Sequence, residues 1–210
     1  MKTTTRILGL LLVLLFANNA FAQVGLGGDV VSRYVWRGTD LGGSLSVQPA
    51  LSYTTGHLEI GAWGSYALTD GGFNENDIYL TYTIGDLGIT VTDYYFPETM
   101  DAFNYKDEDG IHWLEASLSY GLGDFSLLAG YFFSGDPDNS MYFEAGYDFY
   151  EKDDISAGLV VGAGDGAYLM DSEDLNVVNI GITASSGRLS VSYIINPQAE
   201  TNFIVFGYSF

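Results

Sequence analysis

The chain has 210 residues, with 27 acidic against 7 basic side chains (net charge −20 at pH 7), 27 glycines, 15% aromatic residues, four prolines and no cysteine. The charge argues against a nucleic-acid partner, because a phosphate backbone demands a basic surface. The missing cysteine excludes disulfides, thiolate metal sites and cysteine nucleophiles, and the abundance of glycine and aromatics points to many strands joined by tight turns.

Lys2 and Arg6 form a basic head before the apolar run Ile7 to Phe16, and Ala20-Phe21-Ala22 places small residues around a cut. Residues 1–22 therefore read as a cleaved signal peptide, with a single domain over 23–210. The alternative is an uncleaved anchor, but spanning needs about 20 apolar residues and the run is shorter. Removing the leader leaves 188 residues with five basic and 27 acidic side chains, a net charge of −22.

A first strand is expected from about Gly25 to Trp36. The next segment, "SLSVQPALSYT", places Leu45, Val47, Pro49, Leu51 and Tyr53 on one parity and small or polar residues on the other. This is the period of a strand with one apolar face; Pro49 suggests a bulge. The same alternation returns with apolar rows starting at Leu58, Ile78, Leu87, Leu114, Phe125, Met141, Ile155, Val178, Leu189 and Ile204. That makes roughly twelve segments of about ten residues, the length a tilted strand needs to cross a bilayer.

Short turns are expected at Thr55-Gly56, Gly85-Asp86, Gly121 to Gly123, Glu151-Lys152 and Ser185 to Gly187. They alternate with longer polar loops at Gly38 to Gly43, Thr69 to Asn76, Pro97 to Gly110, Ser134 to Ser140, Gly164 to Asp174 and Asn196 to Glu200. Short turns on one side and long loops on the other is the layout of a transmembrane antiparallel up-and-down β-barrel, with periplasmic turns and extracellular loops. The sequence ends on Phe206, Tyr208 and Phe210, an aromatic row that suits the outward face of a closing strand. A soluble sandwich or lipocalin-like barrel shares the period and inverts the faces. The second face favours the membrane, being rich in Gly, Ser and Thr instead of Lys and Glu.

The stretch "VVSRYVWRGTDLGGSLSVQPALSYTTGHLEIGAWGSY", Val30 to Tyr66, resembles the N-terminal signature of the TorF-type family of outer-membrane porins. Tyr34, Trp36, Arg37 and Gly38 match that family's aromatic-x-aromatic-Arg-Gly element, and Trp63 and Ser65 its Trp-x-Ser element. The resemblance implies an outer-membrane barrel in a Gram-negative bacterium. The terminal aromatic likewise resembles the C-terminal signal read by the barrel-insertion machinery of such bacteria.

Parity assigns Arg33, Arg37, Glu59, Asp77, Glu115, Glu144 and Asp148 to the barrel interior, as a pore lining or as an ion-pair network that fills it. It assigns Tyr34 and Trp36 to the lipid-facing aromatic girdle with Phe206, Tyr208 and Phe210. The acidic loops read as a solvated rim with possible divalent bridging to lipopolysaccharide. Asp136 and Asp138 begin an EF-hand-like spacing that lacks its glycine and distal glutamate, so no metal and no cofactor is expected. His112 shares the parity of Leu114 and so faces lipid, as the histidine of outer-membrane phospholipases does, but Leu114 stands where their serine nucleophile would be. An enzyme is therefore not expected.

The sequence thus predicts a small channel for hydrophilic solutes that prefers cations, because acids dominate both the interior and the loops. The loop acids are Asp101, Asp107, Glu108, Asp109, Asp136, Asp138, Asp165, Asp171 and Glu173. The competing expectation is a plugged, non-conducting barrel that serves structure or surface interaction. Loop alternation also sets the orientation. A thiol introduced by Asp107→Cys should react with an impermeant label on intact cells. Labelling only after the outer membrane is broken would reverse the assignment.

Overall fold

The computed structural model describes residues 23–69, 72–97, 102–105, 111–169 and 174–210. The leader and the loop acids Asp101, Asp107, Glu108, Asp109, Asp171 and Glu173 lie outside them. Fourteen strands occur among these residues. They are β1 (Gln23–Val31), β2 (Val35–Trp36), β3 (Thr39–Asp40), β4 (Ser46–Thr55), β5 (Leu58–Ala67), β6 (Asn74–Ile84) and β7 (Leu87–Tyr95). They continue with β8 (His112–Leu122), β9 (Phe125–Ser134), β10 (Met141–Lys152), β11 (Ile155–Gly164), β12 (Asn176–Ser186), β13 (Leu189–Asn196) and β14 (Thr201–Ser209).

Strands β1 and β4 to β14 form a closed, antiparallel, up-and-down barrel of twelve strands, and β2 and β3 make a separate two-stranded hairpin. Closure comes from β1, which pairs Asp29, Val30 and Val31 with Ser209, Tyr208 and Gly207 of β14. The Phe210 amide extends the seam by donating to the Gly28 carbonyl at 2.9 Å. No α-helix occurs among the described residues; the one helical turn is the 3-10 segment Gly166–Tyr168.

The wall has two faces. Its outer face is apolar, with Leu26 84% exposed, Ile78 62% and Phe206 61%, and Tyr208 and Phe210 continue the same row. The inner face carries small groups that let neighbours close over them. The Gly61 backbone lies under the Tyr79 ring, and Gly146 and Gly207 lie under Ser126 and Ser190.

At one end of the barrel all five connections are two-residue turns. Their first residues, Gly56, Gly85, Gly123, Asp153 and Gly187, all have φ between 56° and 60°. Glycine in four of the five meets the demand of hairpin turns for positive φ, and it sets the strand register. Four of these turns fall one or two residues later than the sequence suggested, because each ladder runs on to that residue. Pro49 makes no bulge: β4 pairs Val47 with Tyr66 and Ala50 with Trp63 in one unbroken register.

Two departures from simple alternation shape the interior. The first strand ends at Val31, not Trp36. There Ser32 donates its amide to the Phe206 carbonyl and accepts the Phe206 amide on its hydroxyl, and the chain then leaves the wall. Hairpin β2–β3 folds into the barrel through the Arg37-Gly38 turn, where both φ values are positive, 49° and 84°. The second departure is a register shift between β11 and β12 at Gly162 and Ala163. It turns Val178 inward to complete burial, where parity alone had placed it outside.

The seam accounts for the aromatic end. Phe210→Ala removes a ring beside Gly28 and should reduce the amount of assembled barrel, read as the heat-modifiable band on a gel. It should leave the thermal stability of the assembled fraction within a few degrees of the parent. Normal assembly would show that the ring is dispensable for closure.

Candidate functional site

Hairpin β2–β3 carries the site. Its two-residue turn needs a residue that tolerates positive φ and then a glycine, and Arg37-Gly38 meets both demands. A Cβ on Gly38 would lie 1.9 Å from the Val178 carbonyl oxygen, so only glycine lets the turn dock on the bulge of β12. Asn196 of β13 clamps the docked turn by donating to the Gly38 carbonyl at 3.3 Å.

The turn delivers Arg37 to the middle of the barrel. Its guanidinium forks onto Glu115 of β8, with Nη2 to Oε1 at 3.0 Å and Nη1 to Oε2 at 2.5 Å, and it also donates to the Tyr168 hydroxyl. It lies 4.5 Å from the ring centroids of Trp36 and Tyr142. Glu115 is 2% exposed, so this is a desolvated, bidentate ion pair framed by aromatic faces. Burial, the largest single effect, opposes the Arg37 charge, but the hydrogen bond to Glu115 and the negative surroundings together push the pKa up. Burial likewise raises the pKa of the Tyr168 hydroxyl, and the adjoining Arg37 charge opposes the rise.

Arg33 pairs with Asp40 across the same hairpin and lies over the Phe203 ring. Asp40 was not among the expected partners, because the turn that brings it back was not foreseen. Glu59 accepts hydrogen bonds from Thr54 and Tyr79. Glu144 accepts from Tyr142 and, at 3.3 Å, from Asn179. Asp148 faces the interior farther toward the short-turn end, beside Gly158. The structure therefore brings Arg37 and Glu115 together and keeps Arg33, Glu59, Glu144 and Asp148 in separate contacts.

Tyr34 and Trp36 correct the girdle expectation. Tyr34 is buried, packs on Trp63 at 5.5 Å and donates to Glu75 at 3.1 Å. Trp36 packs against Tyr94, Phe132 and Tyr168. Strand parity does not reach them, because the strand has already ended. Both plug the interior and neither touches the outer face.

Sequence reasoning also missed Glu75, Tyr94, Phe132 and Tyr168, which complete the site. Phe132, Tyr142, Tyr168 and Val178 form a buried core cluster inside the barrel, with Trp36, Tyr94 and Trp113 packed against it. The available signal was the presence of Trp63, Tyr79, Trp113 and Tyr142 on the otherwise small and polar parity. Above the cluster, toward the long loops, lies a cavity of about 330 Å³ between hairpin and wall. Aromatic rings line most of it, and Glu75 is its one charged wall residue among the described residues.

On the outer wall near the same end, His112 is sandwiched between Tyr95 and Tyr105, at 4.7 and 4.1 Å. Its Nδ1 lies 2.8 Å from Asp93. The hydrogen bond from Tyr105 to Asp93 raises the Tyr105 pKa. No serine joins His112 and Asp93 in the described contacts, and no group of metal-ligating side chains occurs among the described residues.

No family model matches the chain, and no curated protein matches it. The resemblance of residues 30–66 to TorF-type porins thus rests on those residues themselves. Among solved structures, one from work on the mechanism of in meso crystallization of membrane proteins is 11% identical, with a TM-score of 0.50 over 88% of this chain and 82% of that one. A mutant of Rh. blastica porin is 11% identical, with a TM-score of 0.40 over 90% of this chain and all of the other. The first likeness is one of fold.

The two arginines should respond differently to removal. Arg37→Ala leaves Glu115 buried without its counter-charge and should cost about 3–5 kcal/mol in detergent unfolding. Arg33→Ala breaks a pair whose members are 34% and 23% exposed, and should cost about 1 kcal/mol or less. Equal losses would contradict the assignment of Arg37 as the interior lock.

Proposed function

We propose that this chain is an outer-membrane β-barrel of a Gram-negative bacterium that acts as a narrow diffusion channel for small hydrophilic solutes, with a preference for cations. The observation that carries this reading is the two-faced closed wall. A continuous apolar outer band surrounds an inner face of small and polar groups. In water such a band would be an association hazard; in a bilayer it is what a closed sheet must present. The long loops then lie outside the cell and the two-residue turns in the periplasm. The aromatic C-terminal row suits the insertion machinery and the lipid interface, and the acidic loops suit divalent bridging to lipopolysaccharide. TorF-type porins are the family this reading favours, and transport, not catalysis, is the role it assigns.

Charge supports the cation preference. Glu59, Glu75, Asp77, Glu144 and Asp148 face the interior beyond the single acid that neutralises Arg37. Arg33 and Arg37 are both held by carboxylates, so neither offers a free cationic ring to select anions. Beside the hairpin stem the interior keeps open space of about 280 Å³ lined by Asp29, Arg33, Gln48, Ser190 and Ser192. Hairpin β2–β3 is the constriction. The Arg37–Glu115 lock also favours a second reading, a fully plugged barrel that does not conduct.

Planar-bilayer recording separates the two. The expected result is a small conductance whose reversal potential in a KCl gradient has the sign of K⁺ permeation. Removing the whole hairpin lock with Arg37→Ala/Glu115→Ala should enlarge it several-fold. A silent parent with a silent double variant would favour the plug, and a potential of the Cl⁻ sign would overturn the cation preference.

A further inference from the structure

The aromatic cavity above the hairpin has a composition that the channel reading does not use. Its walls include Trp36, Tyr94, Phe96, Trp113, Phe132 and Tyr168. Trp113 stands almost perpendicular to Phe96 (89°) and to Phe132 (77°), so ring faces meet the space from several directions instead of forming one stack. At about 330 Å³ the cavity lies at the lower end of the range for small-molecule sites.

Its charge is unbalanced. Glu75 is 2% exposed and accepts a hydrogen bond from Tyr34, and Asp77 stands two residues along β6 on the same inward face. Asp77 is 7% exposed, and its Oδ1 is buried with no donor. Two carboxyl groups on one buried face oppose each other's ionisation, so the pair carries at most one negative charge. Among the described residues no basic side chain lines the cavity. Arg37 lies against the lining residue Trp36 and is neutralised by Glu115. A buried charge without a counter-ion is costly, and an aromatic cage around it attracts cations through the ring faces. An anion would meet like charge there, and a neutral ligand would leave the charge unbalanced.

We propose that this cavity is a binding site for a small apolar monocation, a quaternary ammonium or protonated amine carrying a hydrocarbon body. The hydrocarbon fills the space between the rings, and the charged head sits toward Glu75 and Asp77. The site does not depend on conduction, since it requires only the folded barrel with its hairpin in place.

The test uses the purified, folded protein in detergent and titrates it with benzyltrimethylammonium, following tryptophan fluorescence and calorimetric heat. N,N-dimethylbenzamide serves as a neutral analogue of similar size. The expected result is saturable binding of the cation at least tenfold tighter than of the amide. A single substitution leaves the partner carboxyl to carry the charge, so the pair is replaced together. Glu75→Gln/Asp77→Asn should weaken the cation about tenfold or more and leave the amide unchanged. Phe96→Leu, which keeps both carboxyl groups and removes one lining ring, should weaken the cation several-fold, and it carries the test if the double variant fails to fold. Equal affinity for cation and amide, unchanged cation affinity in a folded variant, or no saturable binding would each overturn the proposal. None of these outcomes bears on conductance, which is measured separately in a bilayer.

Discussion

Everything in this molecule depends on backbone closure between the first and last strands. The seam pairs only three residues of β1 with β14, extended by Phe210 to Gly28 and by the two bonds between Ser32 and Phe206. Without it the sheet would have two long, flat, apolar edges, the arrangement most prone to pairing with other chains. With it, every strand of the wall has a neighbour on each side, and the wall can be apolar outside because no backbone group there needs water.

Closure creates an interior that must be filled or left wet. The chain divides it. Toward the two-residue turns, glycine, serine and threonine keep the inner wall thin. Hydroxyl pairs such as Thr81 with Thr90 and Thr183 with Ser192 satisfy one another across neighbouring strands. Toward the long loops the hairpin that follows Val31 folds inward and meets an aromatic core. Burying Arg37 there is tolerable because Glu115 meets both arms of its guanidinium and rings cover the rest. Pair and hairpin are mutually dependent, since the Gly38 turn positions the arginine and the ion pair anchors the turn. Among the described residues this leaves Glu75 and Asp77 without a cation, because the two arginines of the hairpin are already matched to other acids.

Much was legible in the sequence. Alternation in steps of two named the strands and the outer face, because side chains on a strand must alternate. Loop lengths named the up-and-down order, because antiparallel neighbours can be joined by two residues. The interior parity of Glu59, Asp77, Glu115 and Glu144 was readable for the same reason. Even the filled half of the barrel left a trace, in the bulky Trp63, Trp113 and Tyr142 on the face that otherwise carries small residues.

Tertiary structure decided what happens where alternation stops. Tyr34 and Trp36 have the spacing of a strand and the chemistry of a girdle, yet they lie inside, because Ser32 ties the chain to β14 and ends the ladder there. Val178 has outward parity, yet it is buried, because one bulge in β12 reverses its direction. Arg33 found Asp40, and Arg37 found both Glu115 and Tyr168, across separations of 7, 78 and 131 residues. The sequence by itself determined which residues could stand on each face, since period and polarity are local properties. Which acid each arginine meets, and which acids are left without one, depends on the inward path of one hairpin, and only the closed barrel sets that path.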